Sequence, residues 1–261
     1  MSKKIYDILA LDYHKKRFYP WKDFELFFDE LIQKGVSFNG YNVDLGCANG
    51  RNFKIFLQSD IKLIGIDNSI EFLKITRNRL KTGNNYTMKE QRSIELIQSD
   101  INAIPIRPEA IDNIFSIAAI HHIKNIQSRN HVLKQTYAIL KENGLLFLTL
   151  WRKYQKKYRY YFVRDWFKRL YSSHYRMTQN KLELKEFGDK FVPWTISKEN
   201  LTYNRFYHFF SRKELKKLLQ MYIIMEMKKR GGPNKKDNFF ILAKKRARRQ
   251  KSYNNNNLFH S

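Results

Sequence analysis

The sequence predicts an α/β fold with a seven-stranded, mostly parallel sheet, helices on both faces and a basic, aromatic insert after strand five. Three observations lead there. The stretch YNVDLGCANG at residues 41–50 reads as a short buried strand, a tight glycine turn and the start of a helix. From there to residue 150, short apolar runs alternate with segments of helical period. That is the pattern of parallel strands joined by right-handed crossovers. Beyond the insert, a capped helix precedes two apolar runs around GGPNKKD, a hairpin that would complete the sheet. Together they describe a Rossmann-like architecture.

In chain order, residues 1–16 place Tyr6, Leu9 and Tyr13 at helical spacing, as a helix or a loose arm. In RFYPW, Pro20 stands at the front of a second helix, where its missing N–H costs nothing. Trp21, Phe24, Phe28 and Leu31 give that helix one apolar stripe, and Gly35 ends it. Strand one is expected at 42–45, its helix at 51–57 and strand two at 63–66. Asn68 reads as an N-cap with Glu71 three residues on, and Ile70, Leu73 and Leu80 then face the core. Residues 81–92 read as a polar loop. Strand three is expected at 94–98, strand four at 111–119, a helix at 126–141 stopped by Gly144, and strand five at 145–150. Residues 151–200, which contain WRKYQKKYRYYFVRDWFKRLYSSHYR, are too polar for a sheet core. Ser211 and Glu214 form a capping box, and strands follow at 222–227 and 238–243.

The expected organisation is one domain over 1–245. It divides into a helical region (1–40), a cofactor-binding half (41–150), a substrate insert (151–210) and a terminal helix with its strand pair (211–245). The tail at 246–261, basic and then Asn-rich, should be disordered.

Composition narrows the classes. In 261 residues, 50 Lys and Arg face 24 Asp and Glu, a formal net charge of +26. That surplus concentrates polyanions, and nucleic acid is the leading candidate. Cys47 is the one cysteine, so no internal disulfide can form and a reducing, cytoplasmic or nuclear compartment is expected. No run of about 18 apolar residues is present, so no membrane span is expected. The first residues lack the apolar core of a signal peptide.

The chemistry starts at the glycine turn. Asp67 closes strand two, 21 residues after Gly46. A strand, a glycine turn, a helix and an acidic residue about 20 residues on are the parts of a nucleotide-binding βαβ unit. Glycine lets the backbone approach a ligand, and the Asp67 carboxylate can accept from both hydroxyls of a ribose. The turn reads Asp44, Gly46, Cys47, Ala48, Gly50, not the glycine spacing that cradles a pyrophosphate. A carboxylate at Asp44 repels phosphate and suits a cationic ligand. S-adenosylmethionine, with an ammonium, a sulfonium and a ribose, matches that pattern better than NAD. Ligands in such sheets sit beyond the carboxyl ends of the strands. The polar residues expected there are Asp44, Asp67 with Asn68, Asp100 and Ser116, with His121 and His122 after strand four. Asp100 could take the exocyclic amine of an adenine while Ile101 covers the ring; the plainer reading of Asp100 is a turn-initiating residue. Cys47 is expected to be a tolerated small residue, and no metal site is expected.

DLGCANG and IGIDNS resemble the class I S-adenosylmethionine methyltransferases. YDILALDYHKKRFYPW, FSIAAIHHI, FVPW at 191–194, RFYHFF at 205–210 and DNFFILAKK at 238–245 narrow the resemblance to the tRNA wobble-uridine carboxymethyl methyltransferases. These enzymes esterify 5-carboxymethyluridine in the anticodon. Ala48 departs from the glycine usual there, and residues 151–190 match nothing in the family pattern. The resemblance implies S-adenosylmethionine as cofactor, tRNA as substrate and a small zinc-binding activator subunit as partner, for which residues 61–66 and 94–97 are the expected contacts. By position in the motifs it implies Arg17, His122 and Arg205 as the groups that grip the substrate, with His121 and Tyr207 beside them. Each has a plainer reading: a solvated charge for either arginine, a backbone hydrogen bond for either histidine, packing for Trp194. The nucleophile would be a carboxylate with a pKa of about 4, already ionised at neutral pH, so no general base is required.

Two other readings compete. One is a different class I methyltransferase, acting on ribosomal RNA or a small molecule. AAIHHI stands where a base-amino enzyme would carry an Asn-Pro-Pro-Tyr-like segment, and a small-molecule enzyme leaves the charge unexplained. The other is a non-catalytic RNA-binding subunit with this fold, against which Asp44, Asp67 and Asp100 argue.

Overall fold

Burial with period two along the strands decides how the sheet is clothed. In β9 (Asn238–Lys245), Phe239, Ile241 and Ala243 belong to one apolar cluster, and Phe240 and Leu242 to another on the opposite face. In β4 (Ile111–Ile117) the same split separates Ile114 from Phe115. A sheet with two apolar faces needs cover on both, and the chain supplies it. A computed structural model describes residues 3–57, 61–82 and 86–247. The tail from residue 248 onward, where disorder is expected, lies outside the described residues.

The remaining strands of the main sheet are β1 (Gly40–Leu45), β2 (Ile61–Asp67), β3 (Ile94–Gln98), β5 (Leu140–Trp151) and β8 (Tyr222–Arg230), in the order β3-β2-β1-β4-β5-β9-β8. Pairing is parallel except at β9, which runs antiparallel to both β5 and β8. The order reverses between β1 and β4, and a ligand crevice is expected there. On one face, α2 (Lys22–Gln33) buries Phe24, Phe27, Phe28 and Leu31 against Phe56, Phe115, Phe147 and Phe240. On the other, α6 (Ile126–Ile139) and α9 (Arg212–Leu218) bury Val132, Leu133, Leu215 and Leu218. The Ser211–Glu214 capping box stands as read from the sequence.

Several local expectations are corrected. The helix expected at 51–57 is the single turn α3 (Phe53–Phe56). Residues 81–92 are not all loop. The crossover helix α4 (Ile70–Thr82) runs into them, and α5 (Met88–Arg92) opens on a capping box between Thr87 and Glu90. Asn68 does not cap α4; Ser69 Oγ accepts from Phe72 N, as an N-cap does. The helix before β5 ends at Ile139, and its connection carries a register shift opposite Ile111/Asn113. β2 is hydrogen-bonded on both sides, so residues 61–66 offer no free edge; β3 does.

The insert is ordered. It holds α7 (Arg159–Tyr171), α8 (Ser173–Lys181) and β6 (Asp189–Thr195), and β6 pairs antiparallel with β7 (Thr202–His208) as a second, two-stranded sheet. Tyr158, Phe162, Val192, Tyr207 and Phe209 form its small core. Its polar composition fits the helices α7 and α8, which bury only Phe162, Asp165 and Gln179. The N-terminal segment is the helix α1 (Lys3–Lys16), which bridges the two sheets. Asp7 Oδ1 accepts from Ser69 Oγ at 2.6 Å, while Asp12 Oδ2 accepts from Trp194 Nε1 at 2.7 Å. Bonds from Lys16, Ser197 and Trp194 hold the Asp12 carboxyl low despite the opposing effect of its burial.

Candidate active site

Between α1, the strand ends and the β6–β7 sheet lies a cavity of about 1300 Å³. Its wall at the main sheet contains Gly46, Ala48, Asp67, Asn68, Asp100 and Ile101. Its wall at the insert contains Tyr6, His121, His122, Trp194, Arg205 and Tyr207, with Arg17 at the rim. Residues far apart in sequence are thus brought to one crevice, at the switch point of the strand order.

Gly46 has φ +77°, and a Cβ there would stand 2.5 Å from the Ala119 Cβ. The turn therefore needs glycine both for its backbone and for the approach of residue 119. Ala48 also has a left-handed φ of 48°, which explains why glycine suits that position. Its N–H donates to Asp67 Oδ2 at 2.9 Å, and Ser69 N–H donates to Oδ1 at 2.9 Å. These bonds, with a further one from the Asn68 backbone, orient the carboxylate at the cavity wall. Burial raises the Asp67 pKa to about 6, with the backbone bonds pulling the other way. Ala48→Gly should leave unfolding stability unchanged or raise it by up to about 1.6 kcal/mol. The left-handed strain of roughly 1–2 kcal/mol is relieved, against about 0.4–1 kcal/mol of added unfolded-chain entropy. Urea denaturation checks this; a loss beyond 1 kcal/mol would mean that the methyl group packs.

Four of the expected cofactor residues stand behind this wall. Asp44 is 2% exposed and its Oδ1 has no hydrogen-bond partner among the described residues. Burial, then Asp67, lifts its pKa to about 8, so it is largely neutral at pH 7. Cys47 is buried, and burial pushes its thiol up, which removes a nucleophilic role. Gly50 packs against Thr76 and Phe53, and Ser116 Oγ donates to the Leu45 carbonyl inside the sheet. Asp100 accepts from Asn102 N and Nδ2 at 2.8 Å each, the turn-initiating arrangement, while facing the cavity. Because the folded pKa of Asp44 lies above its ordinary value of 3.8, the stability it confers is fully present below about pH 4 and is lost progressively as pH rises from there to about 8. Asp44→Asn should therefore come closest to the wild type in Tm at about pH 4 and exceed it increasingly up to about pH 9. A gap that does not change with pH would show that Asp44 ionises freely.

At the insert wall the histidines separate. His122 Nδ1 lies 3.0 Å from the Phe206 carbonyl, which can only accept, so Nδ1 carries the proton and Nε2 is an acceptor. Burial takes the His122 pKa down to about 3, and His121 is held neutral by burial and by His122. His121 stacks on Tyr207 with centroids 4.8 Å apart. Trp194 is fixed by Asp12 and stacked on Tyr13. Arg205 is 7% exposed; its guanidinium lies 4.6 Å from the Trp194 ring and 5.1 Å from the Tyr207 ring. Its Nε has no hydrogen-bond partner, and among the described residues no carboxylate pairs with it. Arg17 is exposed and donates to the Lys16 carbonyl. Tyr6 was read from the sequence as helix spacing alone. Its buried hydroxyl has no partner among the described residues, and burial, then Tyr207, keeps it protonated, so it is a donor at the same wall. Its signal in the sequence was its place in the N-terminal motif.

The residues fit S-adenosylmethionine: the Asp67 carboxylate stands in the cavity wall where ribose hydroxyls can reach it, Gly46 and Ala48 bring backbone to the same wall, and Ile101 offers an apolar cover. Asp44, sealed and largely neutral, does not supply the charge expected to turn a phosphate away. Comparison with known proteins agrees. Residues 43–148 match the family described as methyltransferase domain. The chain is 25% identical over 217 residues to a tRNA (carboxymethyluridine(34)-5-O)-methyltransferase of Schizosaccharomyces pombe, covering 83% of this chain and 85% of that one. It is 25% identical over 153 residues to the protein of that name in Arabidopsis thaliana, covering 59% of this chain but 33% of the longer relative. Among solved structures, a SAM-dependent methyltransferase from Methanosarcina mazei superposes with TM-score 0.65 at 17% identity, covering 84% of this chain and 98% of that chain. The resemblance read from the sequence holds: residues 43–148 match a methyltransferase-domain family, and the chain has the class I, Rossmann-like methyltransferase fold.

Proposed function

We infer that this protein is an S-adenosylmethionine-dependent tRNA methyltransferase that forms the methyl ester of 5-carboxymethyluridine at the anticodon wobble position. One observation carries the reading: the Arg205 guanidinium in the cavity wall, whose buried Nε has no hydrogen-bond partner and which meets no carboxylate among the described residues. An unpaired buried charge is costly to a fold and is usually paired, so this one awaits an anion. The likeness to the fission-yeast tRNA methyltransferase over most of both chains supports a carboxylate on RNA as that anion. Neither competing reading accounts for Arg205 as well.

When bound, S-adenosylmethionine supplies an electrophilic methyl group on a sulfonium. Asp67 would hold its ribose. Arg205 and the Tyr6 hydroxyl would receive the substrate carboxylate and orient one of its oxygens for transfer. Trp194 and Tyr207 keep water from the guanidinium, which strengthens its hold. Neutral His121 and His122 suit a reaction that needs no base. His122 spends its proton on the Phe206 carbonyl, so the charge–charge grip falls to Arg205, with Arg17 at the rim. A zinc-binding activator subunit would pair with the free edge of β3; residues 94–97 remain the contact and residues 61–66 drop out.

The experiment is nucleoside mass spectrometry of wobble positions in cells lacking this protein. Free 5-carboxymethyluridine should accumulate while its methyl ester is lost. An unchanged ester would overturn the reading.

A further inference from the structure

The helix α7 turns most of its surface to solvent, and what it exposes is apolar. Tyr160 is 69% exposed, Trp166 48%, Phe167 49% and Tyr171 78%, with Val163 and Leu170 between them. Such side chains in the open mark a contact surface. Arg159, Arg164 and Lys168 are exposed among them. The opposite side of the helix is satisfied: Phe162 packs in the small core with Tyr207, and Asp165 is held by Arg169 and Tyr175. The helix also starts at the cavity itself, since Gln155, Lys156, Lys157 and Tyr158 line the cavity wall immediately before Arg159. The rings are already arranged in faces: Phe167 and Tyr171 are stacked, and Trp166 stands edge-on to Phe167.

We propose that the exposed face of α7 binds the single-stranded RNA flanking the target nucleotide, its rings stacking on unpaired bases and its arginines and lysine meeting phosphates. This rests on the reading that the cavity takes a nucleotide from RNA. Rings interleaved with fixed positive charge are what unpaired nucleic acid recognises, because each base has a face to stack and each linkage a charge to neutralise. A target base can enter the cavity only when unstacked, so its neighbours leave across the adjoining surface, and α7 adjoins it. A membrane would also accept a helix with rings and bases. Its amphipathic face would then have no reason to begin at the cavity wall.

The test uses the full chain and a labelled anticodon stem-loop RNA. Trp166→Ala/Phe167→Ala/Tyr171→Ala removes rings that line neither core nor cavity, and its Tm should match the wild type. Its Kd for the stem-loop should rise about tenfold or more, as expected for lost base stacking. Binding of S-adenosylmethionine should not change. Wild-type Trp fluorescence should be quenched by the RNA, and a variant retaining Trp166 but carrying Arg164→Gln/Lys168→Gln should show a shallower salt dependence, by roughly 0.7 in the log–log slope per lost phosphate contact. Equal affinity of the triple variant and the wild type would overturn the proposal. So would failure of the wild type to bind the RNA, or capture by phosphatidylcholine–phosphatidylserine vesicles that the triple variant alone loses while RNA binding stays intact. The cavity reading fails separately, if the wild type binds the stem-loop through these rings yet transfers no methyl group to a carboxymethyluridine within it.

Discussion

Arg205→Met is expected to lower kcat/KM for carboxymethyluridine-bearing RNA by a factor of roughly 30 to 5,000 while leaving Tm unchanged or higher. Truncating one member of a buried charge pair costs about 2–5 kcal/mol of binding, and each 1.36 kcal/mol is about tenfold in rate. The unusual half of the expectation is the stability. Arg205 has no carboxylate partner among the described residues, and its Nε is buried and unsatisfied. Methionine removes the cost of desolvating that charge and still fills the slot between Trp194 and Tyr207. Activity and stability thus move apart, as at sites that keep strain for function. Activity assays, thermal unfolding and calorimetry with S-adenosylmethionine separate the cases. A fallen Tm with intact cofactor binding and activity would make Arg205 a structural residue.

Asp67→Ala should weaken S-adenosylmethionine binding by roughly 30-fold to 1,000-fold. Two hydrogen bonds from ribose hydroxyls to a charged group are worth about 1.5–3 kcal/mol each at most, and non-additivity brings the pair to roughly 2–4 kcal/mol. The variant also frees the Ala48 and Ser69 N–H groups that the carboxylate now receives. Asp67→Asn, which keeps one acceptor, should fall between. Since burial raises the Asp67 pKa to about 6, the ionised, stronger acceptor forms as pH rises. Cofactor affinity should therefore climb between pH 5 and pH 7 in the wild type and stay flat over that range in Asp67→Asn. Calorimetry across pH measures both, and equal profiles would remove Asp67 from the cofactor site.

Much of the main sheet was legible because its strands are apolar runs set between helical stripes, and the capping box at Ser211 marked α9. α5 was missed although Thr87 and Glu90 spell a capping box, because five residues hold too little periodicity to compete with their polarity. The insert hid its strands because the segment as a whole is basic, and because Pro193 inside FVPW reads against a strand although β6 pairs on one side only. At the site, Asp67, Arg205 and His122 were legible as types in motifs. What each does was not, because that depends on partners distant in sequence. His122 gives its proton to Phe206, Asp44 is sealed behind the turn, and Tyr6 reaches the pocket only because α1 is pinned at Ser69 and Trp194.

The most direct measurement is a purified reaction. The protein, with an activator subunit if one is required, is given methyl-labelled S-adenosylmethionine and anticodon stem-loops carrying either 5-carboxymethyluridine or the uncharged 5-carbamoylmethyluridine. Label should enter the carboxymethyl RNA alone, as an ester that mild alkali releases, and Arg205→Met should slow its entry at least about 30-fold. Alkali-stable label on a base or ribose, or equal labelling of the uncharged RNA, would contradict the central claim that a buried arginine presents an RNA-borne carboxylate to the methyl donor.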